Sequence, residues 1–121
     1  MNYNFKIIVF TDDPNFSISL TQECDRYGFS LFFTDDLFGV NQEISDKTIA
    51  VMLIDLNDSS IDPFKLCSDV KKEYGIPVFG VLNNFSKKIQ EKAKNAGFDL
   101  IFTKKMLLKS IKEVVIHISN E

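Results

Sequence analysis

The chain has 121 residues, 45% of them hydrophobic and 26% charged, with a formal net charge of −3. That is a globular composition of single-domain size, and it argues against a disordered chain, a membrane protein and a broadly basic nucleic-acid surface, while leaving room for a local basic patch. The opening MNYNFKIIVF has neither the basic start nor the small-residue cleavage site of a secretory signal, so a cytoplasmic protein is expected.

In chain order, the first apolar run is FKIIVF at 5–10, rich in β-branched and aromatic residues, and it ends in Thr11, Asp12, Asp13 and Pro14. Residues 15–27 then place Phe16, Leu20, Cys24 and Tyr27 on one face of a helix. A second strand is predicted at 29–33 (FSLFF), followed by a weak helix over 36–46 that Gly39 interrupts. IAVMLI at 49–54 is the third strand, and 63–74 repeats the helical face with Phe64, Cys67, Val70 and Tyr74. IPVFGVL at 76–82 is the fourth. The next helix, 85–96, sets Phe85, Ile89, Ala93 and Ala96 against a lysine-rich polar face. DLIFT at 99–103 is the fifth strand, and Leu107, Leu108, Ile111, Val114, Val115 and Ile118 form the stripe of a last helix. Tyr27, Tyr74 and most of the twelve phenylalanines are expected in the core.

Near-continuous hydrophobicity without strict alternation marks strands buried on both faces. Gly28, Gly75 and Gly97 fall where helices should stop, and Pro14 suits a first helical turn. The alternation βαβαβαβαβα therefore predicts one α/β domain over 1–121, with a parallel sheet and helices on both faces. Cys24 and Cys67 lack metal-ligand spacing and there is one histidine, His117, so packing thiols are expected rather than a zinc site or a Cys/His dyad.

In a doubly wound sheet, ligands bind outside the carboxyl ends of the strands. Those ends carry Thr11, Asp12 and Asp13 after the first strand, Asp55, Leu56 and Asn57 after the third, Leu82, Asn83 and Asn84 after the fourth, and Thr103, Lys104 and Lys105 after the fifth. Carboxylates from two strands and a lysine from a third suit a hard cation such as Mg²⁺ beside a phosphoryl oxygen. Taken alone, Asp12 and Asp13 read better as helix caps ahead of Pro14. Asp55 alone reads as a turn residue, and Lys104 and Lys105 alone as solvated charges.

The segments KIIVFTDDP, VMLID, IPVFGVL and AGFDLIFTKK resemble, in order and spacing, the receiver domain of bacterial two-component response regulators, and the resemblance spans essentially the whole chain. It implies a flavodoxin-like sheet of order 2-1-3-4-5. It also implies a phosphoacceptor at Asp55, a phosphoryl-clamping lysine at Lys104, and a Mg²⁺ held by Asp12, Asp55 and the Asn57 backbone carbonyl, with Asp13 as a substitute if its turn rotates. A histidine kinase or phosphotransfer protein is the implied partner. Protein docking or self-association is implied through residues 85–118; neither nucleic acid nor membrane is expected.

Several positions depart from that pattern. Thr11 stands where the family has the first acid of its pair, Leu82 where it has a switch Thr or Ser, Asn83 where a small residue follows, Ile101 where it has a switch aromatic, and Lys105 where a proline follows the lysine. Thr11 contributes no charge to a metal, and Leu82 cannot donate a hydrogen bond. Two readings result: an atypical phosphoacceptor acting through Asp55, or a pseudo-receiver that keeps the fold and works by binding alone. An FMN-binding flavodoxin fits poorly, because the first loop has carboxylates in place of a Ser/Thr/Gly-rich phosphate cradle.

Overall fold

The computed structural model describes residues 4–44 and 48–119. Five parallel strands, β1 (Asn4–Phe10), β2 (Ser30–Phe33), β3 (Thr48–Asp55), β4 (Val78–Leu82) and β5 (Leu100–Thr103), form one sheet of order β2-β1-β3-β4-β5. The helices α1 (Pro14–Tyr27), α2 (Leu37–Glu43), α3 (Pro63–Tyr74), α4 (Lys87–Ala96) and α5 (Lys104–Ser119) alternate with them. This is the predicted flavodoxin-like arrangement.

The central strands explain why periodicity of two is hidden in the sequence. In β1, Ile7 and Val9 face α1 and α5 while Ile8 and Phe10 face the opposite layer; in β3, Val51 and Leu53 alternate with Met52 and Ile54 in the same way. Both faces are covered, so residues 7–10 and 49–54 are apolar at every position. Full burial of each such side chain contributes about 1.5–3 kcal/mol. Phe16, Leu20 and Cys24 close one layer from α1, and Leu66, Cys67 and Val70 close the other from α3. Burial pushes both thiols up to about 11, as suits reduced packing groups.

Helix ends follow local chemistry. Asp13 and Asp62 cap α1 and α3, each accepting two backbone N–H bonds, and a proline fills the first helical position in both. Gly28, Gly75 and Gly97 end α1, α3 and α4 with positive φ, as expected of glycine stops.

Several expectations need correction. Gly39 does not interrupt α2: the helix runs through it, and the missing side chain leaves room for the Thr34 hydroxyl, with which a Cβ would collide. The predicted end of that helix, at 45 and 46, lies outside the described residues. Phe85 precedes α4, which starts after its Ser86 cap, and is 62% exposed instead of lining the apolar face. Tyr27, Phe33 and Phe38 are likewise exposed. They sit at sheet edges or helix ends, where no second layer covers them. The last helix begins at Lys104, which puts the lysine pair inside its first turn.

Candidate functional site

Register carries the candidate residues into one corner. β1 pairs with β3 so that Phe10 stands beside Ile54, which sets Thr11 next to Asp55 at the carboxyl edge of the sheet. Lys104 enters the same corner from the end of β5. Asp55 is only 1% exposed, and burying a carboxylate is tolerable only with partners. It has three. Its Oδ2 accepts from the Thr11 hydroxyl at 2.6 Å and lies 2.9 Å from the Lys104 ammonium, and its Oδ1 accepts from the Asn57 backbone N–H at 2.9 Å.

Lys104 bridges two carboxylates, because its Nζ also donates to Asp13 Oδ2 at 3.0 Å. The other oxygen of Asp13 accepts from the Asn15 and Phe16 N–H groups at the start of α1. Thr11 completes the loop by accepting from the Asp13 N–H at 3.1 Å. The Lys104 hydrogen bond, helped by the Phe16 N–H, holds the Asp13 carboxyl below the ordinary carboxylate range. For Lys104, burial alone pulls the ammonium down, but hydrogen bonds and charge from Asp55 and Asp13 together outweigh it and raise its pKa. Among the described residues, no buried side-chain nitrogen or oxygen lacks a hydrogen-bond partner.

The two adjacent aspartates thus take different places. Asp13 joins the corner and caps the helix, while Asp12 is exposed. The pair Asp12 and Asp13 was legible as cap or ligand; Pro14 at the first helical position was the signal that put the cap on Asp13. Of the remaining family positions, Leu82 is buried in the core, Ile101 packs against the same layer, Lys105 is exposed, and Asn83 is exposed with its N–H donated to Asn57 Oδ1 at 2.7 Å. That Asn57 to Asn83 contact was not foreseen. Asp58 was also overlooked: it is buried, and its Oδ1 accepts from the N–H and hydroxyl of Ser60, an Asx turn that shapes the β3–α3 loop.

A divalent cation needs several oxygen ligands with charge. Asp55 has both oxygens engaged, Thr11 supplies a hydroxyl where a carboxylate would serve, and the Lys104 ammonium lies between Asp55 and Asp13. Among the described residues, no three His, Cys, Asp or Glu side chains gather closely enough to hold a metal ion. In this arrangement the Lys104 ammonium holds the position between the carboxylates, and a divalent ion would enter by displacing it.

Away from the corner, a groove of about 480 Å³ runs between α4 and β5, lined by Lys87, Glu91, Lys94, Phe98, Leu100 and Ile101. No helix among the described residues is long and apolar enough to cross a membrane.

No family model matches the sequence, and no curated protein matches it. Solved structures do match its architecture. A two-component response regulator from Clostridium difficile superposes with a TM-score of 0.81 at 18% identity, covering 98% of each chain. A response regulator from Thermotoga maritima gives 0.79 at 14% identity, covering 98% of this chain and 99% of its own. The Mn²⁺-bound form of response regulator Rcp1 gives 0.68 at 16% identity over 90% of each. The fold is that of a response-regulator receiver. In the receiver frame, the corner built from Thr11, Asp13, Asp55 and Lys104 lies at the carboxyl ends of the strands, and the α4–β5 groove lies along the outer edge of the sheet.

Proposed function

We propose that this chain is an atypical signalling receiver, with Asp55 at the phosphoacceptor position, that acts chiefly as a pseudo-receiver by docking on protein partners. The observation that carries this reading is the internal satisfaction of Asp55. A nucleophilic carboxylate must offer an oxygen in line with the phosphorus, and charge on the incoming group must be neutralised. Both Asp55 oxygens are already hydrogen-bonded, and the Lys104 ammonium in contact with it is shared with Asp13. Thr11 strengthens the effect, since its hydroxyl spends its proton on Asp55.

Output then falls to the surface. Residues 85–118 supply the lysines of α4, the exposed Phe85 and the edge strand β5 with Leu100 46% exposed, a mixture of charge and apolar area suited to a protein partner or a second copy of the chain. The cytoplasm is the matching compartment, and neither nucleic acid nor membrane is part of the reading.

A second reading rests on Lys104, which lies 2.9 Å from Asp55 as a phosphoryl clamp would. In it, Asp55 takes phosphate from a histidine kinase or phosphotransfer protein, and a divalent ion such as Mg²⁺, with Mn²⁺-bound Rcp1 as the parallel, supplies charge neutralisation when bound. Asp12, Asp55 and the Asn57 carbonyl are the residues that would hold it, with Asp13 released from Lys104 as a further donor. Intact mass after incubation with Mg²⁺ and a small phosphodonor, run beside Asp55→Asn, separates the two. An unmodified parent protein is expected; a phosphoryl adduct seen only in the parent would overturn the pseudo-receiver in favour of the phosphoacceptor.

A further inference from the structure

The two edges of the sheet carry opposite charge. Around the β2 edge, residues 23–43 hold five carboxylates, Glu23, Asp25, Asp35, Asp36 and Glu43, against Arg26, a net of −4. Around the β5 edge, residues 85–118 hold eight lysines against Glu91, Asp99 and Glu113, a net of +5. β2 and β5 stand at opposite ends of the strand order, so one molecule presents an acidic margin and a basic one. Each margin also has an apolar feature, and the two are opposite in form. On α2, Leu37 and Val40 turn toward the core, which leaves Phe38 on the outer side, 68% exposed and close in sequence to Asp35 and Asp36. The start of that helix is fixed by Asp36, whose Oδ1 accepts from the Gly39 N–H at 2.8 Å. On the basic margin, the groove of about 480 Å³ between α4 and β5 is lined by Phe98, Leu100 and Ile101 together with Lys87 and Lys94. Of its two acids, Asp99 is paired with Lys71. Val40 of α2 and Ala93 of α4 belong to one core layer, so the projecting ring and the groove lie on the same side of the sheet at its two edges.

We propose that the acidic α2 margin is a docking surface for a second copy of this chain, with Phe38 of one molecule entering the α4–β5 groove of the next. This pairing rests on the proposed docking role of residues 85–118 and supplies its partner. An exposed aromatic ring flanked by carboxylates is complementary to an apolar groove flanked by ammonium groups, in charge and in polarity alike. Pairing like with like is disfavoured: two α2 margins would set acid against acid, and two α4 margins lysine against lysine. A contact between two different patches of one molecule is heterologous, and each pair formed leaves one ring and one groove unfilled. Copies then add in series.

Sedimentation of the full chain tests this with two variants. For the parent, the average mass should rise with concentration past that of a dimer at low salt, and fall back at high salt as the opposed margins are screened. Phe38→Ser should weaken this association at least about tenfold, the scale of a central aromatic anchor, and so should Lys87→Glu combined with Lys94→Glu. The two variants mixed are the decisive case. Each keeps the half that the other has lost, so the mixture should give a 1:1 pair that grows no further, a result that also shows both variants to be folded. A parent that stays monomeric, one that stops at a dimer, or a mixture that forms no pair would overturn the proposal. If reversal at Lys87 and Lys94 abolishes association while Phe38→Ser leaves it intact, the α2 margin is overturned and docking through residues 85–118 stands. If the lysine reversal changes neither self-association nor partner capture, that docking role falls as well.

Discussion

The polar side chains around Asp55 point at one another, whereas those on α4 point outward. In the corner, Thr11, Asp13, Asp55 and Lys104 form a closed circuit of hydrogen bonds and ion pairs about a carboxylate that is 1% exposed. On the other side of β4, Lys87, Lys88, Lys92 and Lys94 are exposed on a short helix, with Phe85 before it and Leu100 beside it open to solvent. A corner that satisfies itself contributes to holding the fold; a face that leaves charge and apolar area unsatisfied is available to another molecule. On the proposed reading, stability resides in the first region and recognition in the second.

The largest effect that can break this comparison is removal of the corner's cation. Lys104→Met leaves Asp55 buried with only the Thr11 hydroxyl and the Asn57 N–H as donors, and frees Asp13 from its ion pair. Stripping one partner from a buried pair costs about 3–5 kcal/mol. Denaturant unfolding should show a loss of that order, and the double variant Lys104→Met with Asp55→Asn should recover much of it, because the uncompensated charge is then gone. A loss below about 1 kcal/mol for the single variant would mean that water or another group reaches Asp55 and that the corner is not closed.

A smaller effect comes from pH. Asp13 has a folded-state pKa below its unfolded value of about 3.9, so the unfolded chain binds its proton first as pH falls. Its contribution is present above about pH 4 and is lost as pH drops through the folded value. Lys104 has the opposite sign: its pKa is raised, so its contribution is complete below about pH 10 and lost as pH rises through the folded value. Stability should therefore be flat between those limits as far as this pair is concerned. Asp13→Asn keeps a side-chain oxygen for the Asn15 and Phe16 N–H groups and removes the charge paired with Lys104, so it should flatten part of the acid limb at a cost of up to about 1 kcal/mol at neutral pH, the scale of a partly exposed ion pair. An acid limb identical to the parent's would place the titration elsewhere.

Much of the first region was legible in the sequence because it is tied to strand ends. Asp55 and Lys104 follow apolar runs, and a parallel sheet brings such ends to one edge whatever the intervening helices contain. The division of labour between Asp12 and Asp13 was harder, since one residue of turn decides which carboxylate faces the lysine. The Asn57 to Asn83 bond was illegible: it joins loops 26 residues apart, and no local period marks an amide as the acceptor for a distant N–H. Exposed Phe33, Phe38 and Phe85 were misread for a related reason. Their apolar character is local, but the layer that would cover them depends on where the neighbouring elements end.

The smallest effect on stability should accompany the largest effect on recognition. Lys88 and Lys92 lie on the exposed side of α4, and Lys92 also sits 4.4 Å from the centre of the Phe64 ring. Reversing both to Glu removes that cation–π contact, worth about 0.5–1 kcal/mol at an exposed site, and leaves the sheet and corner untouched. Unfolding should move by no more than about 1 kcal/mol. Yet the sign of the whole face changes, and electrostatic complementarity governs encounter and register with a partner more than it governs folding. Sedimentation of the concentrated protein, together with partner capture, should therefore lose the parent's association while denaturant unfolding barely changes. If neither self-association nor capture responds, recognition does not reside on α4, and the exposed apolar residues at the β2 edge, Phe33 and Tyr27, become the next surface to alter.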